Sequence, residues 1–372
     1  MAQRRLRLGM VGGGRGAFIG AVHRIASRID DRWELVAGAL ISDPERARLS
    51  AEDLGLARSY GSFQEMAEAE SRREDGIDAV AIVTPNHMHA GPAVAFLDAG
   101  IHVICDKPLA ATPDQARQIA EAAARSKARF VLTHNYIGYP LIRQAREMVA
   151  GGELGDIRLV QAEYAQDWLT NTLEETGNKQ ATWRTDPTQS GAGALGDIGT
   201  HAFNLLSFVT GLRPDALLAD LQSFGAGRRV DDNAHVLLRF EGGARGMLWA
   251  SQVAPGNENG LRLRVYGTKA GLTWEQENPN RMEFTPLGEP ARVLTRGGAG
   301  LGRASSQFTR VPPGHPEGYL EGFATLYKDA ADLIDGTLGD SLLPGIDEGL
   351  AGMWFIGACQ ESSAKGGVWV AR

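Results

Sequence analysis

Short apolar runs alternate with amphipathic stretches along the first third of the chain. The apolar runs predict strands at residues 6–11, 33–41, 77–83, 101–105 and 129–132. Between them, apolar residues recur about every 3.6 positions, as in residues 17–26, which is typical of a helix with one buried face. Strands that alternate with helices form a parallel sheet covered on both faces. The pattern therefore predicts a doubly wound nucleotide-binding domain over residues 1–135.

From about residue 136 the pattern changes to successive strands joined by short turns. The predicted strands cover residues 157–165, 234–240, 244–253, 261–266, 272–275 and 281–284, and two helical segments, 320–334 and 346–362, close the chain. Links of hairpin length between strands favour an antiparallel or mixed sheet. The sequence as a whole predicts the α/β class, with an N-terminal Rossmann domain and a C-terminal α+β domain, 136–372, built on a mainly antiparallel open sheet.

Glycines stand where the first predicted strand meets the first helix. Gly12, Gly14 and Ala17 match the pattern G-x-G-x-x-A, and Phe18 and Ile19 follow in the first helical turn. Such a turn lets the backbone approach a pyrophosphate closely, and the helix directs its amides and positive dipole end at the anion. The motif alone also fits an ordinary tight turn, so the prediction of a dinucleotide site depends on the strand and helix around it.

Composition excludes several classes of protein. The 372 residues suffice for two domains, and 43% apolar with 22% charged residues is typical of a globular chain. A net charge of −7 and a pI near 5.7 disfavour binding to nucleic acid or to an anionic membrane. Cys105 and Cys359 lie among apolar residues, which favours reduced thiols, and no apolar run is long enough for a membrane helix. We expect a cytoplasmic protein.

A polar segment, Thr84-Pro85-Asn86-His87-Met88-His89, follows the strand at 77–83. In an open parallel sheet the ligand crevice lies beyond the carboxyl ends of the strands, where this segment is expected. Two histidines at this spacing are also compatible with a metal, but no cysteine or carboxylate cluster stands nearby, so no metal site is predicted. The alternative is a turn that caps the next helix.

Two further segments carry side chains suited to proton transfer. Lys107 follows the next strand, and a partly desolvated lysine beside a cofactor has a lowered pKa and can hydrogen-bond a hydroxyl. Asp197 and His201 share a face if a helix begins near Asp197, and the carboxylate then sets the imidazole tautomer and raises its basicity. The alternatives are a lysine that extends to solvent at a turn, and an aspartate cap before a packed histidine.

These segments together make the chain resemble the Gfo/Idh/MocA family, the glucose-fructose oxidoreductase and inositol dehydrogenase group of nicotinamide enzymes. The match comprises the glycine turn at 12–17, Thr84-Pro85-Asn86 with His89, Asp106-Lys107-Pro108, Trp183-Arg184 and Asp197-Ile198-Gly199-Thr200-His201. The resemblance implies NAD or NADP as cofactor, a small carbohydrate substrate, and a homodimer or homotetramer. It also implies that Lys107, Asp197 and His201 form the catalytic group. The family's lysine motif usually begins with glutamate, where this chain has Asp106.

The motifs and the resemblance give two sets of binding residues. We expect the cofactor at Gly12, Gly14, Ala17, Phe18, Ile19, Ser42, Asp43, Arg46, Thr84, Asn86, His89, Asp106, Lys107, Asn135, Trp183 and Arg184. We expect the substrate at Lys107, Gln166, Asp167, Trp168, Asp197, His201, His315 and Tyr319.

The end of the second strand leaves the choice of cofactor open. Where the family commonly has an acid for the ribose hydroxyls, this chain has Ile41. Asp43 in that role favours NAD, whereas Ser42 and Arg46 holding a 2'-phosphate favour NADP. Asp43 before a proline is also a good helix cap.

The expected reaction moves a hydride between a secondary hydroxyl of a sugar, cyclitol or sugar derivative and NAD(P). His201, oriented by Asp197, takes the hydroxyl proton while Lys107 hydrogen-bonds the same oxygen, although either Lys107 or His201 could be the base. Two alternatives remain open. One is an enzyme with tightly bound, recycled NAD that oxidises its substrate transiently during glycoside cleavage or epimerisation. The other is a non-catalytic NAD(P)-binding regulator, which would normally have lost one of these three residues.

Overall fold

The computed structural model describes residues 4–339 and 341–372, and their contacts divide the chain into two compact units. The first unit contains the chain up to Asn135 and returns for Leu320–Met353, whereas the second contains Tyr136–Tyr319 and Trp354–Arg372. From the sequence, residues 320–353 were expected in the second domain. They group with the first because Tyr327 and its neighbours pack there, and Trp33 Nε1 donates to the carbonyl of Tyr327 at 2.8 Å.

The strands and helices follow in chain order. The strands are β1 (Leu6–Gly12), β2 (Trp33–Ala39), β3 (Arg58–Ser59), β4 (Ala79–Val83), β5 (His102–Asp106), β6 (Phe130–Thr133), β7 (Ile157–Ala165), β8 (Pro214–Gln222), β9 (Asn233–Phe240), β10 (Arg245–Ser251), β11 (Gly260–Gly267), β12 (Ala270–Glu275), β13 (Arg281–Pro286), β14 (Arg292–Thr295) and β15 (Val370–Ala371). The α-helices are α1 (Phe18–Ile29), α2 (Pro44–Asp53), α3 (Phe63–Ser71), α4 (Ala90–Asp98), α5 (Pro113–Arg125), α6 (Pro140–Ala150), α7 (Lys179–Arg184), α8 (Pro187–Ser190), α9 (Thr200–Thr210), α10 (Arg303–Ser306), α11 (Tyr319–Ile334) and α12 (Ile346–Ala364).

The first unit is built on a parallel sheet in the order β3-β2-β1-β4-β5-β6. Every residue of β4 is buried, as expected for a strand with helices on both faces. The strand order reverses between β1 and β4, and in such sheets the ligand crevice lies at that reversal, beyond the carboxyl ends of the strands. This arrangement confirms the predicted Rossmann fold and places the glycine turn after β1 at the crevice.

The second unit is built on a mixed sheet in the order β14-β13-β12-β11-β7-β10-β9-β8-β15. Its pairs are antiparallel except for β7 with β10, which are parallel. The helix α9 contacts β7 and β11 on one face, and Phe203 on α9 stacks on Phe355 of α12 with ring centroids 4.4 Å apart. Along β9 buried and exposed residues alternate, so one face of the sheet forms the core and the other is open. The mainly antiparallel open sheet is therefore confirmed.

Candidate active site

The glycine turn after β1 has the backbone geometry of an anion cradle. Gly12 and Gly13 adopt φ values of +81° and +75°, which side chains rarely tolerate. A Cβ on Gly14 would lie 2.5 Å from the Ile41 side chain, so the turn has no room for one. Ala17 precedes α1 as its cap residue, and the amides that follow belong to the first helical turn, where they lack intrahelical acceptors.

Asp43 caps helix α2 at the end of the second strand segment. Its Oδ1 accepts the amide of Arg46 at 2.8 Å, so the capping interpretation of this residue is confirmed. Asp43, Ser42 and Arg46 are all exposed. Arg15, in the glycine turn, is held by an ion pair with Asp53 of α2.

The loop that carries Lys107 is held by the residue before it. Asp106 ends β5, and its Oδ1 accepts the Lys107 amide at 3.0 Å and the Thr133 hydroxyl at 2.8 Å. His89 is fully buried, and its ring nitrogens lie 2.9 Å from the Pro108 carbonyl and 3.0 Å from the Thr84 carbonyl. From the sequence, His89 was expected to contact the cofactor directly. In the structure its ring lies between the loop after β4 and the loop after β5 and braces the site.

Two buried polar atoms in the first unit fit a ligand that brings its own hydrogen-bonding groups. Thr84 Oγ1 and Asn135 Nδ2 are buried and have no hydrogen-bond partner among the described residues. Buried polar groups in proteins are almost always paired, because an unpaired one costs about 1–3 kcal/mol. Thr84 borders the glycine turn, since a Cβ on Gly12 would lie 2.9 Å from its methyl group. Thr84 therefore fits a dinucleotide bound at the turn, and Asn135 offers a second buried donor in the same unit.

In the second unit, Asp197 and His201 lie on a helix with an irregular start. Residues Leu195–Gly199 form a π-helical turn that continues directly into the α-helix α9 at Thr200, so helical backbone runs from Asp197 to His201. Asp231 holds this turn, because its carboxylate accepts the amides of Gly193 at 2.9 Å and Leu195 at 2.6 Å. π-helical turns occur frequently at functional sites.

The carboxylate of Asp197 is fixed by two donors. Its Oδ2 accepts Arg184 Nε at 3.2 Å and Gln252 Nε2 at 2.9 Å. The guanidinium of Arg184 lies 4.3 Å above the Trp183 ring, which holds it in place. Arg184 was predicted as a cofactor ligand, and the structure uses it to orient Asp197.

His201 packs beside a hydrogen-bonded polar network. Its ring is 8% exposed and packs edge-on against Tyr136, with centroids 4.8 Å apart. The Tyr136 hydroxyl lies 2.5 Å from that of Tyr164, which donates to Asn259 Oδ1 at 2.8 Å. Burial raises the pKa of both tyrosines, so both phenols stay protonated. Gln166 donates to the same Asn259 oxygen at 2.9 Å, which brings it into the network.

The remaining predicted substrate residues divide into two groups. Trp168 donates to Gln166 at 3.1 Å and so belongs to this network, and the Tyr319 ring packs beside it with its centroid 6.5 Å from that of Tyr136. Asp167 accepts the Gly256 amide at 3.3 Å, and His315 is exposed with its carbonyl accepting from Arg296. The structure does not bring His315 to the network.

Sequence reasoning missed Tyr136, Tyr164, Gln252 and Asn259. One signal was available, because Tyr164 stands two residues before Gln166 and alternate strand residues share a face. Beside Asn259 lies a cleft of about 910 Å³, within the range of roughly 300–1,000 Å³ typical of small-molecule sites. Amide and carboxylate side chains line it: Glu258, Asn259, Gln276, Glu277, Asn278, Asn280 and Glu317.

Neither a metal-binding cluster nor a membrane-spanning helix occurs in the part of the chain that the structure describes. Across residues 4–339 and 341–372, no three His, Cys, Asp or Glu side chains are grouped so that they could hold a metal ion. Within the same ranges, no helix has the length and apolar character needed to cross a membrane.

Comparisons with known proteins cover both units. The family model described as an oxidoreductase family with an NAD-binding Rossmann fold matches residues 6–134, and the model of the GFO/IDH/MocA C-terminal domain matches residues 142–273. The uncharacterized oxidoreductase YfiI of Bacillus subtilis is 36% identical over 379 residues, which are 98% of this chain and 96% of that protein.

Solved structures agree over the full length. A crystal structure of an oxidoreductase from Sinorhizobium meliloti is 55% identical, with a TM-score of 0.91 over 99% of this chain and 100% of that one. An inositol dehydrogenase homolog from Azotobacter vinelandii, complexed with NAD+, is 39% identical, with a TM-score of 0.95 over 99% of this chain and 98% of that one.

Proposed function

The chain belongs to the GFO/IDH/MocA family of NAD-binding oxidoreductases, and from that premise we propose that it oxidises a secondary hydroxyl of a sugar, an inositol or a related polyol. The observation that carries the proposal is a fixed carboxylate, Asp197, that stands four residues before a buried imidazole, His201. Asp197 is oriented by Arg184 and Gln252, and His201 follows it at the start of α9 beside a polar network. That combination suits removal of a proton from a hydroxyl.

Lys107, Asp197 and His201 have distinct roles in the proposed reaction. His201 takes the hydroxyl proton, and the charge of Asp197 stabilises the imidazolium that results. Lys107 donates a hydrogen bond to the same substrate oxygen and stabilises negative charge as it develops there. The dinucleotide, when bound, supplies the hydride acceptor.

The polar cleft beside Asn259 supports a polyol as the substrate class. Its lining side chains offer amide donors and carboxylate acceptors, which pair with vicinal hydroxyls from both directions. One protein of similar structure, an inositol dehydrogenase homolog from Azotobacter vinelandii, is consistent with this class. The specific polyol and the hydroxyl that reacts are to be identified by assaying a panel of candidate substrates.

We further propose NAD rather than NADP as the working cofactor. The charge of Asp43 at the end of the second strand repels a 2'-phosphate, and Arg15 is occupied by Asp53. The relative from Azotobacter vinelandii was solved with NAD+.

The test combines ligand screening with variants. Thermal-shift measurements with NAD, NADP, sugars and inositols identify the ligands that stabilise the protein. With the preferred pair, Lys107→Met, Asp197→Asn and His201→Gln should each lower kcat/KM at least about 100-fold while NADH affinity stays within about three-fold. Asp114→Asn, at an exposed position on α5, is the matched control and should leave kcat/KM unchanged.

Three outcomes contradict the proposal. Near-normal rates for all three variants refute the catalytic assignment. NAD that copurifies, together with turnover without net absorbance change at 340 nm, indicates a recycled cofactor instead. Cofactor binding without turnover of any panel member indicates a regulator.

A further inference from the structure

A chain of buried polar groups lies behind the loop that carries Lys107. Tyr327 on α11 places its hydroxyl 2.8 Å from His23 Nδ1 on α1. His23 is fully buried, and its Nε2 lies 4.0 Å from Asp106 Oδ1 at the end of β5. The chain therefore runs from a helix near the C-terminus, through the first helix, to the residue that precedes Lys107.

The electrostatics of this chain select one tautomer of His23. A ring nitrogen that faces a carboxylate is favoured when it carries the proton, because its lone pair would otherwise point at negative charge. The proton of neutral His23 then lies on Nε2, directed at Asp106, and Nδ1 accepts from the Tyr327 hydroxyl. At 4.0 Å the His23–Asp106 contact is longer than a hydrogen bond and acts by electrostatic attraction. Each group thus polarises the next.

Aromatic packing holds Tyr327 and His23 in these positions. The ring of His23 lies 4.9 Å from Phe323, one turn before Tyr327 on α11. The Tyr327 ring packs edge-on against Trp33 at 6.0 Å, and Trp33 Nε1 donates to the Tyr327 carbonyl. Rings fixed on several sides keep their orientation, so Tyr327 presents its hydroxyl to His23 with little freedom.

The Asp106 carboxylate links these residues to the backbone of Lys107. One oxygen of Asp106, Oδ1, accepts the Lys107 amide at 3.0 Å and the Thr133 hydroxyl at 2.8 Å, and the same oxygen faces His23. We propose that Tyr327 and His23 are positioning residues that orient the Asp106 carboxylate and, through it, the backbone of Lys107. The inference rests on the role proposed for Lys107 in the reaction, and its structural half is testable without a substrate.

The first experiment measures the tautomer and the lysine amide by NMR. In protein labelled with ¹⁵N-histidine, His23 should show the Nε2–H tautomer at pH 7.5. In protein labelled with ¹⁵N-lysine, Tyr327→Phe should shift the Lys107 amide signal, assigned by its loss in Lys107→Arg. Tyr60→Phe is the matched control, because it removes another tyrosine hydroxyl bound to an acidic side chain of the first unit, Glu70. The control should leave the Lys107 signal in place.

The second experiment measures kinetics with the polyol found in the panel. Tyr327→Phe keeps the ring packing and removes only the hydroxyl, so kcat should fall about five-fold while KM for NAD+ stays within about two-fold. Tyr60→Phe should leave kcat unchanged. An equal kcat for Tyr327→Phe and wild type, an Nδ1–H tautomer at His23, or an unmoved Lys107 amide would overturn the inference. Absence of turnover with every polyol would refute the proposed function and leave the NMR result to decide this inference.

Discussion

The first unit buries several histidine rings around the predicted cofactor loops. His23 and His89 are fully buried, His134 is buried as well, and burial lowers the pKa of all three. The pKa of His134 falls to about 3, chiefly through burial and secondly through the positive charge of Lys107. The ring of His134 is therefore neutral in the folded protein at neutral pH, whereas in the unfolded chain it titrates near its ordinary value of about 6.5.

The sign of the resulting pH dependence follows from proton counting. In the unfolded chain His134 becomes protonated below about pH 6.5. In the folded chain it stays neutral down to about pH 3. The stabilising contribution is complete above pH 6.5 and is lost as the pH falls. We expect the free energy of unfolding to decrease by up to about 1.4 kcal/mol per pH unit for each such histidine.

Urea denaturation at pH 7, 6 and 5 checks this expectation. His134→Gln should reduce the slope of stability against pH by about one proton. A slope that is the same in His134→Gln and wild type would show that His134 titrates alike in both states.

Single residues differ in how far the sequence predicts them. Lys107, Asp197 and His201 stand in recognisable motifs, so the sequence alone is enough to propose them. The partners of those motifs leave no such signal, since Tyr327 lies 304 positions from His23 and no local pattern connects them. Asn259 was missed for the same reason, because only strand pairing brings it to Tyr164.

At the scale of elements, local propensity predicted the helices well and the irregular strands poorly. Thr112 caps α5 through the Gln115 amide, and the sequence Thr112-Pro113-Asp114-Gln115 has the residue types of a helix start. The strand β8 was missed because its sequence, PDALLADLQ, lacks β-branched residues and forms a strand by pairing with β9. Tertiary pairing overrides weak local preference at such sites.

Asp43 combines two functions that a substitution can separate. Asparagine caps helices as well as aspartate but carries no charge. Asp43→Asn should therefore keep the free energy of unfolding within about 0.5 kcal/mol and lower the ratio of the NADP to the NAD dissociation constant about five- to ten-fold. Titration calorimetry with both dinucleotides measures the ratio. An unchanged ratio would mean that Asp43 serves only as the cap.

The π-helical turn before α9 depends on a close backbone approach. A Cβ on Gly193 would lie 1.7 Å from the Asp231 carbonyl oxygen, so Gly193→Ala has to displace the turn that carries Asp197. We expect a loss of about 2–3 kcal/mol in the free energy of unfolding. At 25 °C, kcat should fall by a larger factor than the fraction of folded protein does. Gly357→Ala, on an exposed helical position with open space, should instead stabilise the protein by about 0.5–1 kcal/mol. Equal effects of the two substitutions would contradict this account.

At the scale of the molecule, the two units are not two consecutive segments of the chain, because each unit contains two separate segments. The sequence pattern indicates an amphipathic helix at residues 320–334, but it does not specify which sheet the apolar face of that helix packs against. Only the contacts of Tyr327 and Asp332 with Trp33 and Arg32 show that α11 belongs with the first unit. Local pattern thus predicts an element and its buried face, whereas the partner of that face is a property of the folded chain.

The open face of the second unit's sheet carries apolar side chains that are exposed to solvent. Leu159 on β7, Leu237 on β9 and Met247 on β10 are 52%, 45% and 53% exposed. Met247 pairs directly with Leu237 across the strands, and Leu159 lies diagonally from it on β7. Grouped apolar residues on an exposed sheet favour burial against a second copy, since a two-fold axis presents the same patch on both partners.

We therefore expect a homodimer, or a tetramer containing it, assembled through this face. Wild type should sediment as a multiple of 39.9 kDa. Met247→Glu should shift the mass toward 39.9 kDa, because the axis brings two like charges together in an apolar contact. Leu287→Glu is the matched control, since Leu287 is 81% exposed in the turn between β13 and β14, and it should keep the wild-type mass. A wild-type monomer, or a Met247→Glu protein of unchanged mass, would exclude this face as the interface.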